Sequence, residues 1–132
     1  MEKIALTLIQ QYMAGWKQND LSKIINSLTQ DCLIIESHGP SYHGINEVIC
    51  WFKLWLKANS IVLRWDVQAF YYLAQQKTAF LQWDFAYLSN KQNQAFPGMS
   101  IIKFYEQKIS FIHEYRMTHA AYHWSGTELK LV

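Results

Sequence analysis

Apolar residues recur every three to four positions through the first eighteen residues, where Ala5, Ile9, Tyr12, Met13 and Trp16 share one face. That spacing predicts an amphipathic helix over residues 2–18, with Tyr12 directed at the core. Asn19-Asp20 stops it, and Asp20 is a suitable N-cap for a short second helix burying Leu21, Ile24, Ile25 and Leu28. The connection is so short that the two helices fold back on each other. From Cys32 to Ser37 the period changes to two, predicting a strand in which Ile34, Glu36 and, by extension, His38 share one face. Leu33, Ile35 and Ser37 take the other, and Gly39-Pro40 ends the strand. Helical spacing returns from Gly44 through Ile45, Val48, Ile49, Phe52 and Leu56, with Glu47 in the first turn, where the helix dipole favours negative charge. Trp51 and Trp55 widen this stripe, so the helix is covered on more than one side.

Beyond Asn59-Ser60 the chain alternates. Ile61, Leu63, Trp65, Val67, Ala69 and Tyr71 face one way and Val62, Arg64, Asp66 and Gln68 the other. The next run sets Ala79, Leu81, Trp83, Phe85 and Tyr87 against Gln82 and Asp84. A polar loop, SNKQNQ, leads to Phe96-Pro97-Gly98 and a strand from Met99 to Tyr105. In a last strand, Lys108 to Thr118, Ile109, Phe111, His113, Tyr115 and Met117 point inward against Ser110, Ile112, Glu114 and Arg116. Long strands joined by turns make an antiparallel meander. Helices at one end and antiparallel sheet at the other define an α+β protein. No internal repeat or linker divides residues 1–132, which read as one domain.

Composition narrows the partners. Twelve basic against ten acidic residues give a net charge of +2, without basic runs, which argues against nucleic acid or an anionic membrane surface. No apolar segment approaches the roughly 18 residues of a membrane span. The N-terminus reads as a helix of the mature fold, not a signal peptide. Two cysteines, Cys32 and Cys50, are too few for a disulfide scaffold and fit buried thiols in a cytoplasmic protein. Six Trp, eight Tyr and seven Phe in 132 residues are an excess of large rings that must fill a wide core, a pocket or a partner surface.

Three stretches, QQYMAGWKQNDLSKIINSLTQDCLI, HGPSYHGINEVICWF and IIKFYEQKISFIHEYRM, taken in this order and spacing, resemble the nuclear transport factor 2-like superfamily, which includes ketosteroid isomerase, scytalone dehydratase and the SnoaL-like polyketide cyclases. The resemblance spans Ile4 to about His119. It implies a cone in which three N-terminal helices pack on a strongly curved, mainly antiparallel sheet, leaving an apolar pocket between. In ketosteroid isomerases the first helix supplies a tyrosine and the first strand a proton-moving carboxylate. By similarity Tyr12 takes the first position, and Glu36 falls at or one residue from the second. Ser100 stands where the isomerase has a protonated acid, and Met117 where SnoaL-like cyclases often have an acid.

The resemblance therefore implies proton transfer next to a carbonyl, or related isomerase, cyclase or dehydratase chemistry without a cofactor. Glu36 would be the base, Tyr12 the donor to the oxyanion, and His38 or His113 an auxiliary acid. Trp16, Trp51, Trp55, Trp65 and Trp83, with Ser100, Phe104, Tyr115 and Met117, would line a site for a small apolar, oxygen-bearing molecule. The competing expectation is a non-catalytic binding or dimerisation module, in which Glu36 reaches solvent and the rings are ordinary core. His119 and His123 have helical metal-ligand spacing but no third ligand, so no metal is expected. The outer sheet face, with Arg64, Asp66, Gln68, Phe70, Gln82, Asp84, Ile101, Ile112 and Arg116, mixes charge and apolar surface in the manner of a homodimer contact.

Overall fold

A computed structural model describes residues 1–131. Helix α1 (Glu2–Gln18) buries Ala5, Leu8, Ile9, Tyr12, Met13 and Trp16 along one face, as the spacing requires. It ends where Asn19 turns left-handed and its N–H bonds back to the Trp16 carbonyl. The Asp20 side chain then caps α2 (Leu21–Asn26) by accepting from the Lys23 N–H at 3.4 Å. Gly15 lets the two helices touch: a Cβ there would lie 2.5 Å from Ile24 Cγ1 and 2.8 Å from the Ile24 nitrogen.

Strand β1 (Leu28–Ile35) begins earlier than the alternation predicts. Leu28 is a buried strand residue rather than the last core position of α2, because Ser27 closes that helix through its hydroxyl on the Ile24 carbonyl. A three-residue strand, β2 (Ser41–His43), follows the Gly39-Pro40 turn and pairs back on β1 before α3 (Gly44–Lys57) begins. Four long strands complete the chain: β3 (Ile61–Leu73), β4 (Thr78–Ser89), β5 (Gln92–Tyr105) and β6 (Lys108–Arg116). The expected SNKQNQ loop is instead a tight hairpin. Asn90 and Lys91 both take positive φ (50° and 64°), the conformation that joins twisted strands in two residues.

The six strands form one mixed sheet in the order β2-β1-β6-β5-β4-β3, in which only the β1–β6 contact is parallel. The helices cover its concave face and share one core with it. Ile9, Ile24, Ile34, Leu81, Ile109 and Ile112 are almost wholly buried, each contributing about 1.5–3 kcal/mol by leaving water. No helix of the described residues is long and apolar enough to cross a membrane. Cys32 is buried, but Cys50 lies on the exposed side of α3, contrary to the expectation for both thiols.

Bulges correct the sequence-derived strand faces. Lys103 pairs with Phe111 and Phe104 with Ile109, so Ser110 is an extra residue in β6. Beyond it every side chain changes face: Ile112, Glu114 and Arg116 turn inward, and Phe111, His113 and Tyr115 turn outward. Two register shifts in β3, around Leu63 and Gln68, have the same effect. Val62, Trp65, Phe70 and Tyr72 pack on the core, whereas Leu63 and Tyr71 are exposed. Phe70, Ile112 and Arg116 therefore do not belong to the outer face. The inward positions of β4 are those its alternation predicts.

Gly98 lies opposite Trp83 in the β4–β5 ladder, and the indole sits against it. A Cβ at this position would meet Trp83 Cη2 at 2.5 Å and collide with the Tyr115 carbonyl oxygen. Gly98→Ala is expected to lower stability by about 1–3 kcal/mol through overpacking, measured as a reduced urea midpoint with an unchanged slope.

Candidate active site

Between the helices and the sheet lies a cavity of about 420 Å³. Helix α1 contributes Tyr12 and Trp16, and α3 contributes Trp51 and Trp55 at one-turn spacing. Strands β3, β4 and β5 supply Trp65, Trp83, Phe85, Tyr87 and Phe96. The rings brace one another. Trp16 lies 4.4 Å from Trp51 and edge-on to Trp55 at 5.9 Å, and Trp51 stacks on Tyr42 at 4.0 Å with planes 5° apart. Tyr12 meets Trp16 and Trp65 edge-on at 6.5 and 6.4 Å. Asn19, the left-handed residue closing α1, accepts the Trp55 indole N–H at 2.9 Å, so the end of α1 also fixes a cavity wall.

Two carboxyls enter this aromatic enclosure side by side. Ile35 pairs with His113 in the parallel β1–β6 ladder, and continuing that register sets Glu36 beside Glu114 on the inner face. The Tyr42 hydroxyl donates to Glu36 at 2.6 Å. No side-chain hydrogen bond reaches Glu114 from the described residues. Burial is the main cause that raises both carboxyls above their usual range. For Glu36 this is opposed by the Tyr42 hydrogen bond and by His38. For Glu114 the neighbouring Glu36 charge adds to it, pushing the group up to about 8. Glu114 keeps an edge to the cavity, so its surface is only half-buried, but its other sides are enclosed by protein. Tyr42 donates to Glu36 alone, so the two neighbouring carboxyls are held in unlike environments.

Tyr12 completes the group. Burial first, and then the charges at Glu114 and Glu36, raise its phenol well above the ordinary value, so it remains a donor. Trp16 approaches the Tyr12 oxygen closely enough to oppose that rise in part, yet its N–H does not complete a hydrogen bond. The buried Trp65 N–H likewise has no partner among the described residues.

Tyr12, Glu36, His38 and the five expected tryptophans all line the cavity. The other expected site residues do not. His113 and Tyr115 stack on each other at 4.2 Å on the outer face, turned there by the Ser110 bulge, and Met117 is exposed beyond the end of β6. Ser100 is buried behind the wall, where it accepts the Trp83 indole N–H at 2.9 Å. Phe104 is core. Strict alternation from Ile109 concealed Glu114 and Arg116, both of which line the cavity. His119 and His123 fall in a tail without helix, and the described residues contain no group of three or more potential metal ligands. A second, open hollow, lined by Tyr122, Trp124, Leu129 and their neighbours, shares no residue with this site and is bounded by a single stretch of tail.

Residues 9–112 match the SnoaL-like domain model. The chain belongs to the SnoaL-like family. Among curated proteins none matches it. Its fold is shared with a candidate polyketide cyclase from Xanthomonas campestris pv. campestris (14% identity, 86% of this chain and 90% of that one, TM-score 0.70). An epoxide hydrolase of the LEH-like type from M. tuberculosis superposes with TM-score 0.76 at 8% identity, covering 87% and 84% of the two chains. A hypothetical protein from Catenulispora acidiphila with a ketosteroid isomerase-like fold, solved with trimethylamine, superposes with TM-score 0.69 at 12% identity over 82% and 83%. At these identities the SnoaL-like chain shares a fold with them, and its chemistry rests on its own residues.

The raised Glu114 value carries a sign. The folded state binds this proton more tightly than the unfolded chain, whose carboxyl titrates near ~4.3. The stabilising contribution is therefore fully present below about pH 4.3 and is lost as pH rises through about 8. Urea unfolding of wild type and Glu114→Gln across this window is expected to show wild type losing stability relative to the variant, with the difference levelling off above pH 8.

Proposed function

We propose that this SnoaL-like protein binds a small, largely apolar, oxygen-bearing molecule and moves a proton next to its carbonyl. The observation that carries this is the pair of carboxyls set side by side in an aromatic cavity with the Tyr12 hydroxyl, Glu36 accepting from Tyr42 and Glu114 without a side-chain donor among the described residues. Glu36 is the base: it takes a proton from the carbon adjacent to the carbonyl and can return it at another atom. Glu114 and Tyr12 donate hydrogen bonds to the oxygen as negative charge develops there. A neutral carboxylic acid is the stronger of these two donors, and its position beside the base lets it act without moving. His38, at the rim, favours the charged form of Glu36. The cyclase and epoxide hydrolase among the structural relatives, whose substrates also carry oxygen, are consistent with such a ligand.

The test is a tryptophan-fluorescence titration with flat apolar ketones and phenols across pH, on wild type, Glu36→Gln and Glu114→Gln. Saturable quenching is expected, with the pH dependence lost in Glu36→Gln. With any ketone that is turned over, Glu36→Gln should reduce kcat by roughly 10²–10⁴-fold without unfolding the protein. If no ligand binds while every variant stays folded, the cavity is not a ligand site and a non-catalytic module is the better description.

We also propose a homodimer through the outer sheet face. Phe80, Ile101 and Phe111 are half-buried there, and Tyr71, Leu73 and Tyr115 stand in solvent around them. Sedimentation equilibrium is expected to give twice the chain mass, reverting to one chain mass in Ile101→Glu. A monomeric wild type removes the proposal.

A further inference from the structure

Arg116 lines the cavity but contributes nothing to the proton-transfer group. The bulge at Ser110 turns it inward, two residues outward from Glu114 along β6. It is exposed to solvent, so it stands at the mouth while Glu114 lies deeper. Its position is constrained, unlike that of a typical surface arginine. The guanidinium rests over the Phe96 ring, 4.5 Å from its centroid, and Phe96 is itself a wall residue. Arg116 pairs with Gly98 in the β5–β6 ladder, and the Met117 N–H to Pro97 carbonyl bond at 3.0 Å closes that ladder just beyond.

This cation makes no ion pair among the described residues. Glu36, the negative charge of the cavity, is already served by the Tyr42 hydroxyl and by His38. The site thus has an answered anion inside and an unanswered cation at its opening. A guanidinium placed over a ring keeps N–H groups for a carboxylate, which arginine favours binding in a two-pronged geometry. Gln94, on the same rim, adds amide donors. Aromatic walls and carboxyls would also attract an organic cation. Arg116, fixed at the mouth over Phe96, opposes such a cation there.

We infer that the ligand of this site is an aromatic or polycyclic carboxylate, its ring between the tryptophans and its carboxylate at the mouth on Arg116. This rests on the reading of the cavity as a ligand site and adds the substrate's charge. The ligand enters ring first, so its carboxylate stops one step of the strand outward from Glu36. Arg116 then determines specificity and takes no part in moving the proton.

The test uses three probes of one shape: 2-naphthoate, 2-acetylnaphthalene and 2-naphthylmethylammonium, titrated by tryptophan fluorescence at low and moderate salt. Wild type is expected to bind the carboxylate at least about tenfold more tightly than the ketone, with the ammonium weakest, and the carboxylate preference should shrink with salt. Arg116→Gln should abolish the preference while ketone affinity changes by less than about threefold, which also reports that the cavity is intact. Arg116→Lys should restore part of it. The inference is overturned if the ketone binds but the carboxylate binds no better, if the ammonium binds best, or if the preference survives Arg116→Gln. Failure of all three probes on folded wild type would overturn the ligand-site reading as well, a separate and recognisable outcome.

Discussion

One extra residue in β6 governs the chemistry available to the cavity. Because side chains alternate with a period of two, inserting Ser110 between the pairs Phe104–Ile109 and Lys103–Phe111 exchanges the faces of all that follow. Without the bulge, His113 and Tyr115 would enter the cavity and Glu114 and Arg116 would lie on the outer surface. With it, Glu114 is brought beside Glu36, and Arg116 is placed at the mouth. The Ser110 hydroxyl bonds the Lys103 carbonyl at 3.2 Å across the irregularity, giving a ladder acceptor a partner where the regular pattern is broken. The parallel β1–β6 contact is the other half of the arrangement, since it alone joins the first strand's carboxylate to the last strand's acid.

Two environments differentiate chemically identical side chains. Both glutamates are withdrawn from water, and that alone would raise both. The short β2 strand breaks the symmetry by bringing Tyr42 within 2.6 Å of Glu36, while Glu114 receives no donor and feels its neighbour's charge. Tyr42 in turn stacks on Trp51, so the hydroxyl that favours the charged form of Glu36 is held by the same aromatic wall that excludes water. Charge distribution and cavity shape are therefore parts of one construction.

The sequence made the frame legible where periods were long and undisturbed. Helices α1 and α3, the inward rings of β4, and the general α+β order follow from spacing, because burial of one face dictates it. Tyr12, Glu36, His38 and the five tryptophans reached the cavity for the same reason, with the family resemblance indicating the tyrosine and the carboxylate. The errors in strand facing share one cause. Bulges at Ser110 in β6 and near Leu63 and Gln68 in β3 carry no proline or glycine, and each shifts the phase of an alternation that otherwise looks continuous. The Asn90-Lys91 and Glu106-Gln107 turns similarly reach positive φ without glycine, so the β4–β5 hairpin read as a loop. Ser100 stands at the position where the resemblance expects an acid, and a carboxyl lies beside it on the adjacent strand: Ser100 pairs with Glu114.

The same cavity leaves polar groups that the protein does not satisfy. The Trp16 and Trp65 N–H groups have no acceptor among the described residues, and both indoles flank Tyr12. A buried donor without an acceptor costs about 1–3 kcal/mol, so two around one aromatic corner are a substantial local expense for a fold that needed only to pack its core. An apolar residue in place of either indole would remove that penalty. In the proposed function, an oxygen-bearing occupant that accepted from these N–H groups and set its rings against the walls would offset that cost. Binding would then satisfy donors the folded chain leaves open and displace water from beside Glu114, holding its proton more firmly. A ligand of that kind would thus strengthen the difference between the two carboxyls on which the proposed reaction depends.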